Sequence, residues 1–254
     1  MAKLTELSSK NHQNLHVVPS ATMQFASEQH VLNLTAIELA KAATCFPVFI
    51  SRSSANGKLA FSAMTSFELN QNLYVTNGKW NGGYQPNALR TYPLFLMQSQ
   101  KGENQFCIGF DEQSSAFSTV QGAPLFENDG AATPHLAEVT KMLEVELEHI
   151  RQSYEFAKAL ESMNLLKEID IKVQYQDGTV NVIQGLCTIN EDALSILNGE
   201  QLEKLNKAGY LTPIYSLLIS LNLLNDLINR HNALEGATKI VNVKMEVTKE
   251  FSYT

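Results

Sequence analysis

A chain of 254 residues with 44% hydrophobic and 18% charged residues can bury a substantial core as one large domain or two small ones, in the manner of a soluble globular protein. Its net charge of −7, with no local Lys/Arg cluster, argues against nucleic acid as a partner, because phosphate binding needs a basic face. Cys45, Cys107 and Cys187 are odd in number, far apart and set among apolar neighbours, so buried thiols in a reducing compartment are expected rather than a disulfide framework.

Residues 1–14 are polar and are expected to form a flexible N-terminus. No apolar run follows Lys3, so no secretory signal is read there. A cytoplasmic location is expected, with export without a cleavable signal as the alternative. Short strand-like runs occupy residues 15–34, broken by Pro19. Thr35-Ala36-Ile37-Glu38 has the form of a capping box and predicts a helix to about residue 44. Val48-Phe49-Ile50 reads as a buried strand, and Asn56-Gly57 predicts a hairpin that returns the chain through residues 58–64. Leu73-Tyr74-Val75 is a further strand, turned by Asn77-Gly78.

Next comes Lys79-Trp80-Asn81-Gly82-Gly83-Tyr84-Gln85-Pro86-Asn87-Ala88-Leu89-Arg90-Thr91-Tyr92-Pro93, which holds the only tryptophan in the chain. The glycine pair predicts a tight turn through angles that a Cβ forbids. Pro86 can open a short helix that Pro93 then stops, so that Arg90 projects from a helical step. Residues 94–97 and 105–110 form a second plausible hairpin around Lys101-Gly102. Residues 111–132 read as a long loop, a length that suits either a functional segment or a packed surface excursion.

Thr133-Pro134 starts the longest helix, with Thr133 as cap. Leu136, Val139, Leu143, Leu147, Ile150, Tyr154, Ala157 and Leu160 recur at spacings of three and four, which predicts one buried stripe to about Met163. Glu138, Glu144, Glu146, Glu148 and Glu155 read as the solvated side. Residues 169–175 and 179–189 make a hairpin around Asp177-Gly178, and two short helices follow, near 191–197 and 200–208. Thr212-Pro213 starts the last long helix. Its apolar window, 211–228, is interrupted by Ser216, Ser220, Asn222, Asn225 and Asp226, so a buried helix is expected and not membrane insertion. Residues 237–254 form a strand-like tail whose alternation suits pairing with a sheet edge or, in a homo-oligomer, with a second chain.

Trp80-x-Gly82-Gly83-Tyr84-x-Pro86, followed by Leu89-Arg90-x-Tyr92-Pro93, resembles the central motif of the SapC family. The resemblance extends through Phe46-Pro47-Val48-Phe49, Ile108-Gly109-Phe110-Asp111-Glu112, Pro124-Leu125-Phe126, Gly130, Thr133-Pro134 and Gly209-Tyr210-Leu211, and so covers most of residues 15–230. It implies a bacterial, S-layer-associated role as a binding or accessory protein.

No catalytic signature accompanies the motif. His12, His16, His30, His135, His149 and His231 include no HxH or HxxxH pair on a helical segment, so no metal site is assigned. G-x-S-x-G and P-loop patterns are absent, and no cofactor is read. Asp111 and Glu112, at a strand end, are candidates for acid–base work or for plain solvated carboxylates. Trp80, Tyr84, Arg90 and Tyr92 form either a recognition pocket or a set of core anchors in which Arg90 ties down carbonyls or the Asp111 loop. The fold expected is α+β, an antiparallel or mixed sheet packed against two long helices, with a single domain over 15–236. The function expected is non-enzymatic binding of a protein, peptide or small molecule. The alternative is a small-molecule or peptide-modifying enzyme at the 80–92 motif with Asp111 and Glu112.

Overall fold

The structure, a computed structural model, describes residues 4–52, 57–99 and 105–248. Its principal layer is a six-stranded antiparallel sheet. In spatial order the strands are Ile240–Val247, Leu166–Tyr175, Val180–Ile189, Val48–Arg52, Leu59–Met64 and Val31–Leu34. The hairpin turn at Asp177-Gly178 is closed by Thr179 N–H donating to Asp177 Oδ1 (2.9 Å), with Gly178 at φ +89°, and the hairpin joins this sheet where Cys187 pairs with Ile50. The alternating tail supplies the edge strand. Of the Asn56-Gly57 turn, Gly57 has φ +67° and Asn56 lies outside the described residues.

A second, three-stranded antiparallel sheet runs in the order Leu4–Glu6, Phe106–Asp111, Phe95–Gln98. Leu4–Glu6 are therefore strand-paired and Ser9–His12 form a helical turn, where a flexible N-terminus is expected from the sequence. His12 sets its ring edge-on to Phe110 at 4.9 Å, contacts that composition alone does not reveal. The Lys101-Gly102 turn lies outside the described residues. The excursion over 111–132 is pinned by strands Phe117–Ser118 and Ala123–Pro124, which pair on either side of His16–Val17, and by Leu125, fully buried. Between Pro19 and residue 31 the chain forms the helix Ala21–Ser27, not a strand; Ala, Met and Gln favour a helix, and only Ala21 and Ala26 of it are buried.

Two apolar clusters are bridged by the helix Pro134–Ser162. Its N-terminal half buries Leu136, Val139 and Leu143 against Phe110 and Leu125, and its C-terminal half buries Phe156, Ala157 and Leu160 against the six-stranded sheet. Thr133 caps it, its Oγ1 accepting from Leu136 N–H at 3.3 Å. The single stripe expected from the spacing is thus interrupted. Leu147 is half-buried, while Ile150 and Tyr154 are 49% and 53% exposed, because the middle of the helix spans the gap between the two clusters. The second long helix is broken by a 3₁₀ turn, Leu221–Leu223, into Leu211–Ser220 and Leu224–Asn232. Residues 211–232 are long and apolar enough to cross a membrane by length and composition. In the structure Ile214, Leu217, Leu224 and Leu227 are buried in the principal core, and Ser220 Oγ accepts from Val48 N–H at 3.0 Å.

The tail strand is fastened by charge as well as by its ladder. Lys172 Nζ and Lys244 Nζ lie 2.6 and 2.9 Å from the Glu246 carboxylate and hold its pKa down at about 2. Because the folded value lies below the unfolded one, this contribution is present above the ordinary glutamate value and is lost as pH falls through about 2. An NMR titration of Glu246 is expected to show a midpoint near 2 that moves upward in Lys172→Ala; an ordinary glutamate midpoint would show that the lysines do not hold it.

Candidate functional site

The central motif divides into a fixed inner half and an open outer half. Asn77 and Gly78 take φ +52° and +69°, the two left-handed residues of a tight hairpin turn, and so bring Trp80 opposite Val75. The indole Nε1–H donates to Tyr84 O at 3.0 Å, and the ring lies 6.0 Å from Phe46 and 6.2 Å from Tyr74. Gly82 and Gly83 are not among the positive-φ residues, which corrects the expected reason for them. Their lack of a Cβ admits close neighbours: a Cβ on Gly82 would stand 2.9 Å from Trp80 Nε1, and one on Gly83 would stand 3.1 Å from Cys45 Sγ. No disulfide involves Cys45, Cys107 or Cys187.

Glu38 anchors this inner half. It is only 3% exposed. Its Oε2 closes the capping box, accepting from Thr35 N–H and Thr35 Oγ1 at 2.9 Å each. Its Oε1 accepts from Tyr84 OH and from Asn87 N–H, both at 2.8 Å. Burial, with the adjacent Glu38 carboxylate, pushes the Tyr84 phenol well above its ordinary range. One carboxylate therefore joins the turn that follows the Val31–Leu34 strand to the entry of the motif helix, Asn87–Thr91.

The outer half faces grooves. Arg90 is exposed, and its guanidinium makes no hydrogen bond or ion pair among the described residues. The expected clamp to the Asp111 loop is therefore corrected: Asp111 Oδ1 accepts from Gln113 N–H (3.0 Å) in its own turn, and Glu112 is exposed. Tyr92 is half-buried, stacked on Phe25 at 4.1 Å and edge-on to Phe95 at 6.1 Å; its bond to Pro93 is cis.

Where the motif helix meets the middle of the long helix, two cavities open. One of about 290 Å³ is lined by Arg90, Thr91, Lys141, Glu146 and His149. The other, about 460 Å³, is lined by Thr91, Tyr92, Leu143, Glu146, Ile150 and the Val31–Leu34 strand, among others. Glu146 lines both. Burial, then the charge of Glu38, raises its carboxyl above the ordinary glutamate value. A larger cavity of about 540 Å³ lies beyond, between Ile37, Arg151 and Tyr210, where Arg151 is already bonded to Glu148 at 2.7 Å. Asp111 and Glu112 line none of these three.

Of the six residues singled out in the sequence, Trp80 and Tyr84 are framework, Arg90 and Tyr92 face the grooves, and Asp111 and Glu112 are not brought to them. Glu38, Glu146 and His149 were missed. Glu38 was visible only as a helix cap, and Glu146 was one of five glutamates on a side read as solvated. His12 and His16, at helical spacing, are separated by structure: His12 Nδ1 accepts from Ser8 N–H (3.1 Å) within a helical turn, and His16 lies in a strand. No group of three or more His, Cys, Asp or Glu able to hold a metal ion occurs among the described residues.

Comparison with the curated proteins returns no match, and comparison with the solved structures returns none either. The SapC family model matches residues 7–227, which is most of the chain, and the chain belongs to the SapC family.

Proposed function

We propose that this SapC-family chain is a non-enzymatic binding or accessory protein whose ligand sits in the grooves between the motif helix and the middle of the long helix. The observation that carries this reading is the division of the motif. Trp80 and Tyr84 are held by hydrogen bonds and ring contacts, whereas Arg90, a side chain rich in donors, lies exposed beside half-exposed apolar residues such as Val145. Arginine and aromatics dominate binding hot spots, and a rigid first half presents them in one geometry. The family resemblance connects such a role to a bacterial surface layer or its export. The enzymatic alternative built on Asp111 and Glu112 draws no support from their placement; Glu138 and Glu146 are the carboxyls that line a cavity with Arg90.

Gentle purification followed by native mass spectrometry is expected to retain a bound mass that Arg90→Ala releases. The same substitution should leave the denaturation midpoint within about 0.5 kcal/mol of the parent, as for an exposed site. A large loss of stability would restore the clamp, and a bound mass indifferent to Arg90 would remove the groove from the function.

A further inference from the structure

The 460 Å³ cavity lies between two sheet edges. Val31–Leu34 ends the six-stranded sheet, and Phe95–Gln98 ends the three-stranded one. The registers define which main-chain groups point into the gap. His30 O accepts from Thr65 N–H (2.8 Å), so even-numbered residues face the inner neighbour and the N–H and C=O groups of Val31 and Asn33 point outward. Ser99 N–H donates to Gln105 O (2.7 Å), so by the same alternation Leu96 and Gln98 present their main chain on the free side of their strand. Both edges line the one cavity through Val31, Asn33, Phe95 and Leu96. Exposed strand edges are templates for a further strand.

The cavity also selects by charge. Glu146 is the only charged side chain lining it. It has no ion pair among the described residues; on the neighbouring 290 Å³ cavity, which it also lines, Glu138 joins it beside Arg90, Lys141 and His149. At one end Phe25, Tyr92 and Phe95 form an aromatic wall, with ring separations of 4.1 and 6.1 Å, a surface that accepts aliphatic side chains and cations alike.

Resting on the binding role proposed above, we infer that the occupant is an extended segment of a partner protein that adds as a strand to the Val31–Leu34 edge, seats apolar side chains over Leu143 and Ile150, and places one Lys or Arg at Glu146. Four edge residues give about 13 Å of ladder at about 3.3 Å per residue. Main-chain bonds supply affinity in this mode, and the pockets for alternate side chains supply selectivity.

The probe is a phage-displayed library of random ten-residue peptides, selected on the full chain and followed by titration of the enriched peptide as a synthetic compound. Enriched peptides should alternate β-branched or aromatic residues with a Lys or Arg. Affinity should fall at least about tenfold in Glu146→Gln, because a desolvated charge pair is lost. Asn33→Pro should have a similar effect: it removes an outward N–H and leaves the ladder to Leu59–Met64 intact. Two readouts do not depend on that variant folding. N-methylation of the peptide at alternate amides, in at least one of the two registers, should abolish binding, and the amides of Val31 and Asn33 should gain exchange protection when the peptide is bound. Affinity within about twofold of the parent in both variants, or no protection at the edge, overturns the strand addition. Self-association that Asn33→Pro abolishes would instead make a second copy of this chain the occupant. If the library yields no binder while native mass spectrometry retains a mass that Arg90→Ala releases, the strand fails and the binding role stands. If neither is found, both fail.

Discussion

Replacing Glu38 with alanine is expected to lower the stability of this protein by about 3–5 kcal/mol. The residue is buried, and its two oxygens take four hydrogen bonds, from Thr35 N–H, Thr35 Oγ1, Tyr84 OH and Asn87 N–H. Truncation strands two main-chain donors and a phenol in a place with little access to water, and each unmet donor costs about 1–3 kcal/mol. The capping box is lost with it, typically about 1 kcal/mol more, although the terms overlap and do not add. Glu38→Gln keeps one acceptor oxygen but turns an NH₂ toward donors on the other side, so its loss should be smaller but still large. Urea denaturation of the two variants measures this. A loss below about 1 kcal/mol in Glu38→Ala would mean that the motif is held by its aromatic packing alone. A second readout is the Glu146 carboxyl, held above the ordinary glutamate value in part by the Glu38 charge: in Glu38→Gln its titration midpoint should move down.

Local chemistry in this chain was legible where one or two residues decide the outcome. The Thr35–Glu38 cap, the Asp177-Gly178 turn and the Thr133-Pro134 helix start each depend on backbone donors satisfied within four residues, and each formed where the sequence placed it. The α+β class followed from the same elements. Features that depend on distant partners were not legible. Glu38 reads as a cap because its other two donors come from residues 46 and 49 positions further on. The glycine pair reads as a turn because the ring and the thiol that crowd it, from Trp80 and Cys45, are placed only by the folded motif. Of the two readings of Arg90, the anchor rests on the general cost of burying an unpaired cation; the structure avoids that cost by leaving the side chain exposed. The edge at Val31–Leu34 could not be seen at all, since which strand ends a sheet is a property of the topology and not of the strand.

The long helix should show the same division between scaffold and groove when it is cut by mutation. Phe156 has no exposed surface, stacks on Phe61 at 5.4 Å and tilts against Tyr210 at 5.0 Å. Phe156→Ala should therefore cost about 3–5 kcal/mol, from lost burial and from a cavity its neighbours cannot fill. Leu143→Ala, at the other anchorage, should cost about 2–5 kcal/mol for the same reason. Ile150 lies between them in the same periodic row, yet it is half-exposed and lines the cavities on that flank. Ile150→Ala should change stability by no more than about 0.5 kcal/mol, and its effect should appear in binding instead. A continuous apolar stripe predicts the contrary, with a comparable loss at all three positions, and chemical denaturation of the three variants separates the two. The outcome bears on function because Val145, Ile150 and Tyr154, at the centre of the helix, stand outside the core and can meet a ligand, while the two anchorages and the bond from Ala36 N–H to Ser153 Oγ (2.7 Å) hold them in register with Arg90 and the Val31–Leu34 edge.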